Sequence, residues 1–342
     1  MSQYVRPQRP DVVGLAWAKC RFRLGNAAAQ SVTVKGEFHR FDAKLAAMHP
    51  PVKDLHRRGQ FFVALAAVAW SFAGVLQRGL KLDIPTQAAS RSGVAFVALS
   101  VVVFLEARRT NQTIVAFVRA PGWPGALMAV CSGGASACFI FALNRTSVAS
   151  VLFIQALTPL VAVVLARVFL GERASRRAWI AMSIAAGGVA LMVGGPQVGS
   201  ITGLIAAGAM SALFAVTIVL TRFAKSVSMA PASALSQFLV FLCALPFAHL
   251  STVGKGDLLR VVLMGVFQMG LGQLCFIIGA RLIAAAETGL ITLLEVVLGP
   301  LWVWIAYSES PGAVTVIGGL VVIAAVIFQS TESQSAVAVV AR

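Results

Sequence analysis

The chain has 342 residues, 58% of them hydrophobic and only 12% charged, with 28 Lys and Arg against 12 Asp and Glu for a formal charge of +16. Its mean hydropathy of +0.86 excludes an ordinary soluble domain, whose apolar usage is roughly 45–50%. On so apolar a chain the positive charge points to basic cytoplasmic segments of a membrane protein, and no nucleic-acid partner is expected. Four of the five cysteines (Cys131, Cys138, Cys243 and Cys275, but not Cys20) fall within apolar runs and none forms a C-x-x-C pair. Neither a disulfide framework nor a zinc site is expected from them.

In chain order, the first 58 residues hold 11 Lys and Arg and lack an apolar run long enough for a signal-peptide core. Two readings stand side by side: a basic tail attracted to anionic lipid, or translation that begins at Met48. Beyond it come the membrane spans. A spanning helix needs about 20 apolar residues, because the hydrocarbon core is roughly 30 Å thick and a helix rises 1.5 Å per residue. Ten such runs follow, at residues 61–80, 92–105, 124–143, 147–170, 178–193, 203–223, 232–250, 258–280, 284–307 and 313–328, the second being the shortest. The expected fold is an all-α membrane protein, with a tail at 1–58, two five-helix units at 59–195 and 200–329, and a cytoplasmic C-terminal tail at 330–342.

Ten spans place both termini on one side. With the termini inside, ten Lys and Arg beyond the N-terminal tail are cytoplasmic and six (Arg78, Lys81, Arg91, Arg145, Lys255 and Arg260) lie outside. That bias predicts a multi-pass protein of the cytoplasmic (inner) membrane with both termini cytoplasmic.

The two units repeat each other. An offset of 137 matches Gly133 with Gly270, Cys138-Phe139-Ile140 with Cys275-Phe276-Ile277, and Glu172 with Glu309, while Trp70-Ser71 aligns with Met210-Ser211 at an offset of 140. Five spans per unit is an odd number, so the second copy enters the membrane from the opposite side. The loop at 171–177 carries Arg173, Arg176 and Arg177, whereas its counterpart at 308–312 has no cation. Inverted repeats are a hallmark of secondary transporters, which hold substrate at the repeat interface near the midplane.

Three stretches carry a family resemblance. The end of the fourth run, from Pro159 to Gly171-Glu172, resembles the fourth helix of the EamA-type branch of the drug/metabolite transporter superfamily. Leu293-Leu294-Glu295 through Ser308-Glu309 resembles its ninth helix, and Ala66-x-x-Ala69-Trp70-Ser71 its opening. The similarity covers about residues 59–329. Val296 stands where many relatives have proline, and Ser308 replaces the usual glycine. The resemblance implies a ten-helix carrier, often an exporter of amino acids or other small metabolites, with a cavity lined mainly by spans 1, 3, 4, 6, 8 and 9. Its partners would be a small-molecule substrate and membrane lipid, with homodimerisation left open.

The residues make their own suggestions about a site. Glu295 lies deep in the ninth run, where a carboxylate must be protonated, paired or hydrated. It reads either as a proton-coupling or substrate-amine group or as a protonated structural acid. A proline removes one backbone donor and displaces the carbonyl four residues earlier, so Pro159 would free the carbonyl of Gln155, and Pro300 that of Val296 beside Glu295. Both are expected to kink their helices, either to flank a substrate or simply for packing. Trp70, Ser71, Ser136, Gln273 and Gln268 complete the candidates. Glu287 reads as an interfacial charge near Arg281. Gly133, Gly134, Gly187, Gly188, Gly318 and Gly319 are expected to let helices approach closely.

The chain has no G-x-x-x-x-G-K-[ST], H-E-x-x-H or G-x-S-x-G motif, and its histidines (His39, His49, His56 and His249) fall outside the apolar cores. Nucleotide hydrolysis, a metal, a cofactor or enzymatic activity is therefore not expected. The sequence reads as a secondary transporter that moves a small metabolite outward by alternating access, proton-coupled through Glu295. The alternatives are a membrane-embedded lipid-modifying enzyme and a non-transporting membrane scaffold.

Overall fold

The computed structural model describes residues 52–146, 148–193, 200–308 and 312–340. Met48, with the alternative start it represents, and Glu309 lie outside the described residues. All regular structure among the described residues is helical.

Helix α1 (Val52–Ser71) breaks at Phe72 and resumes as the short α2 (Ala73–Arg78). Helix α3 (Ile84–Arg109) starts at Asp83, whose carboxylate accepts the Thr86 amide at 3.3 Å. Pro85 occupies the first turn, where a missing N–H is no loss, and Arg108 and Arg109 sit at the C-terminal end favoured by cations. The apolar run at 92–105 is thus only the middle of a 26-residue helix. Arg91, expected in an outer loop, lies inside that helix and is buried; the cap that decides this is polar, so hydropathy does not register it.

After α4 (Ile114–Arg119) and α5 (Gly122–Arg145), the fourth apolar run splits into α6 (Val148–Gln155) and α7 (Thr158–Leu170). Helices α8 (Arg176–Val193), α9 (Ile201–Phe223) and α10 (Ala230–Ala244) follow. Helix α11 (Lys255–Val262) continues through a π-helical segment (Leu263–Leu271) into α12 (Gly272–Ala280). The ninth run again splits, into α13 (Ala285–Thr292) and α14 (Leu294–Tyr307), and α15 (Ala313–Val340) closes the chain. It extends as a helix through most of the segment expected as a tail.

Among the described residues, eight helical stretches are long and apolar enough to cross a membrane, and Ala313–Gln329 is a shorter apolar helix. Outward-facing Val97, Val101, Ile205, Leu320 and Ile327 would be unfavourable in water and suit a lipid surround.

The two prolines behave differently. Pro159 stands in the first turn of α7, just after the break at Ala156–Leu157, where its missing N–H costs no helical hydrogen bond. Pro300, expected to kink its helix, lies inside α14, and the break falls earlier at Leu293. There the Thr292 hydroxyl donates to the Gly289 carbonyl at 2.7 Å, and the Leu293 amide bonds the Leu290 carbonyl three residues back. Such side-chain competition for backbone carbonyls loosens a helix locally.

Helix α1 packs on α12 and α14, α5 on α9 and α10, α3 on α10 and the π segment, α7 on α9 and α13, and α8 on α15. The last pair meets backbone to backbone: a Cβ on Gly188 would stand 2.8 Å from the Gly318 carbonyl oxygen. Gly187, also expected at a helix contact, instead has nothing within 4 Å of its Cβ position.

Candidate functional site

The two broken helices touch. A Cβ on Gly289 of α13 would lie 2.9 Å from Cα of Pro159, so the breaks at Leu157 and Leu293 are held side by side. Across them the side chain of Gln155, the last residue of α6, donates from Nε2 to Oε1 of Glu295 at 2.5 Å. Glu295 lies in the first turn of α14, where the positive end of the helix dipole favours a carboxylate. The split of the ninth run thereby places an acid at a helix N-terminus within the bundle.

These groups open onto a cavity of about 140 Å³. A single water needs roughly 10–15 Å³ of such space, so the cavity has room for several waters or a small solute. Its polar wall comprises Arg91, Ser132, Ser136, Gln155, Gln237, Gln268, Gln273 and Glu295. Its apolar wall includes Trp70, Phe139, Met210 and Phe214. The Trp70 ring is set edge-on to Phe214 at 5.8 Å and tilted against Phe276 at 5.3 Å. Gly272 makes room for it, since a Cβ there would approach the indole Nε1 to 2.5 Å.

Several buried polar atoms on this wall have no partner in the protein: Nε of Arg91, Oε1 of Gln155, Gln237 and Gln268, and Nε2 of Gln273. Buried polar atoms are normally hydrogen-bonded, and here five face one space. The arrangement suits a site that exchanges hydrogen bonds with water and solute.

Of the residues singled out in the sequence, Glu295, Gln155, Trp70, Ser136, Gln273 and Gln268 converge on this cavity. Ser71 does not line it. Its hydroxyl accepts from Trp302 Nε1 at 2.8 Å and donates to the Val68 carbonyl at 2.6 Å, fastening α1 to α14. Sequence reasoning missed Arg91 and Gln237. Reading Asp83-Ile84-Pro85-Thr86 as a helix start would have put Arg91 in the second turn; Gln237 offered no cue beyond its polarity.

Glu287 is also placed differently from expectation. It is 1% exposed rather than interfacial, and it accepts from Gln60 Nε2 at 2.6 Å with His56 Nε2 3.2 Å away. His56 is accordingly part of the packed bundle. A second polar cluster ties the loop after α7 to the rest of the chain. Arg222 Nε donates to Glu172 Oε1 at 2.8 Å, Arg222 Nη1 donates to the Arg281 carbonyl at 2.7 Å, and the Ala285 amide donates to Glu172 Oε2 at 3.4 Å. Among the described residues no three His, Cys, Asp or Glu side chains lie close enough to hold a metal ion.

Apolar helices long enough to span a bilayer, surrounding a polar cavity, define a multi-pass membrane protein. The chain belongs to the EamA-like transporter family, whose sequence model matches it twice, over residues 57–194 and 198–331. A solved crystal structure of a protein shares the fold, with a TM-score of 0.70 and 17% identity over 81% of this chain and 98% of its own. No curated protein matches the chain.

Proposed function

We infer that the protein is a secondary active transporter that exports small metabolites, amino acids or related compounds, across the cytoplasmic membrane by alternating access. The observation that carries this reading is the origin of the cavity lining. Trp70 and Met210, Ser132 and Met269, and Ser136 and Gln273 all line it, and each pair occupies equivalent positions of the two halves. The helix breaks at Ala156 and Leu293 also correspond, at the same offset of 137. A pocket built from matching positions of two halves is what two inverted five-helix repeats produce at their interface. The packing supports the same scheme: α1 on α12 and α9 on α5 are equivalent contacts with the halves exchanged. In this reading α8 and α15 join the eight longer stretches to make ten spans.

Glu295 is the coupling group. Protonated, it is neutral and donates or accepts a hydrogen bond with Gln155; deprotonated, it leaves a negative charge beside the solute in a space of low dielectric. Charge inside the membrane is costly, so the proton and the solute bias which side the cavity faces, and a proton gradient can drive the cycle. The test is transport in proteoliposomes with an imposed pH gradient, using a panel of radiolabelled amino acids and small metabolites. Wild-type protein is expected to show gradient-driven flux. Glu295→Gln, which keeps the shape and the Gln155 contact, is expected to fold and insert normally but to lose the response to the gradient. An unchanged pH response in that variant would defeat the coupling role.

A further inference from the structure

We propose that Arg91 is the anchor for an oxyanion on the transported solute, so that the cavity's cargo is a small molecule bearing a carboxylate or equivalent group. The proposal rests on reading the cavity as the solute site. Arg91 is 4% exposed and faces the cavity from the second turn of α3. A guanidinium carries five N–H donors in a planar fork. Only one contact engages them within the protein, from Nη2 to the Ser136 hydroxyl at 3.3 Å, and Nε is unpartnered.

Among the described residues no carboxylate forms an ion pair with Arg91. The ion pairs of His56 with Glu287, Arg222 with Glu172, and Arg260 with Asp257 all lie elsewhere. Glu295 lines the same cavity but is engaged by Gln155, and no ion pair joins it to Arg91. A buried cation held by one neutral hydroxyl is unfavourable unless another anion completes it. The fork geometry of arginine matches the two oxygens of a carboxylate, which it binds bidentately.

The side chain is also held from behind. A Cβ on Gly265 would fall 2.9 Å from the Arg91 carbonyl oxygen and 2.6 Å from Val94 Cβ, so the backbone of α3 is pressed onto the π segment at this turn. That contact fixes where the guanidinium starts, and Ser136 fixes where it ends. The unfilled acceptors of Gln237 and Gln268 and the unfilled donor of Gln273 then call for N–H, O–H or carbonyl groups on the same solute. The cavity's size limits it to a few heavy atoms beyond them.

The experiment is equilibrium binding to the full chain in lipid nanodiscs, followed by tryptophan fluorescence and melting temperature. The probes are matched pairs in which an amide of nearly the same shape replaces the carboxylate: alanine and alaninamide, lactate and lactamide. In wild-type protein the carboxylate of at least one pair is expected to bind about 30-fold or more tightly than its amide, the range expected when one partner of a buried charge pair is removed. Arg91→Met is expected to abolish that preference, and Arg91→Lys, which keeps the charge but loses the fork, to weaken it. Equal binding of acid and amide, binding of no carboxylate, or a preference that survives in Arg91→Met overturns the proposal. Should Arg91→Met fail to fold, the wild-type pairs and Arg91→Lys decide the matter. Carboxylates that bind without being transported would sink the transport reading and leave the anchor standing. Gradient-driven flux of neutral solutes alone, unaffected in Arg91→Lys, would do the reverse.

Discussion

Glu295 and Arg91 line one cavity, yet each is held by a neutral partner, Gln155 and Ser136. An internal ion pair would cancel both charges and leave little for a solute to recognise. On the proposed reading both stay available to a solute, which is why the two sharpest tests fall on these side chains. Glu295 was legible in the sequence because an acid inside an apolar run is conspicuous. Arg91 was not, because its run starts late by hydropathy and the helix starts early by its cap. That cap makes its own prediction. Hydrogen bonds from Thr86 hold the Asp83 carboxyl below the ordinary carboxylate range, so its contribution is complete at neutral pH and is lost as pH falls through the lowered value. Amide exchange at Thr86 and Gln87 is expected to accelerate relative to the middle of α3 only below the ordinary Asp value of about 3.9. Asp83→Asn should remove that pH dependence while preserving the helix start; hydrogen exchange measured by mass spectrometry would show an unaltered profile if another group were responsible.

At the scale of elements, interruptions rather than lengths shape the site. The splits between α6 and α7 and between α13 and α14 bring Gln155 to a helix end and Glu295 to a helix start. Pro159 announces the first split in the sequence. The second is set by the Thr292 hydroxyl on the Gly289 carbonyl, a choice that many threonines in helices do not make. The π winding at Leu263–Leu271 matters for the same reason. At 3.6 residues per turn, positions five apart point about 140° away from each other, whereas wider winding lets Gln268 and Gln273 address one cavity. Helix contacts follow a different rule. Gly188 and Gly318 meet with no room for a side chain, while Gly187 faces open space. Gly188→Leu is expected to part α8 from α15 and destabilise the protein by about 1–3 kcal/mol, the usual cost of overpacking. Gly187→Leu should melt within experimental error of wild type, and equal losses in both would show that the contact is not what glycine serves there.

For the whole molecule, alternating access requires that contacts at one face break while those at the other form. The cluster of Glu172, Arg222, the Arg281 carbonyl and the Ala285 amide joins the loop after α7 to the end of α9 and the turn before α13. It therefore links the two family-matched halves at one face of the bundle. Arg222→Ala is expected to loosen that face and raise, about threefold or more, the rate at which a cysteine placed at Ser136 reacts with a membrane-impermeant maleimide added from the Glu172 side. That magnitude corresponds to a bias of somewhat under 1 kcal/mol, as for partly exposed ion pairs. Arg222→Lys, which keeps the charge but cannot reproduce both donors, should fall between. Labelling rates that do not change would mean that the cluster stabilises a loop and has no part in gating.

By itself the sequence determined the class of the protein: hydropathy sums, charge placement and the offset between halves are properties of a line of residues and need no packing to be read. It also determined most of the cavity, since glutamine, serine and a carboxylate within apolar runs have few other places to go. Only the tertiary structure decided which of them share a space. It turned Ser71 away to bind Trp302, buried Glu287 between α1 and α13, and drew Arg91 out of an expected loop into the cavity. The reason is physical. Burial inside the bundle depends on where each helix starts, breaks and rotates, and those choices are made by single caps, prolines and glycine contacts too local to alter an average over 20 residues.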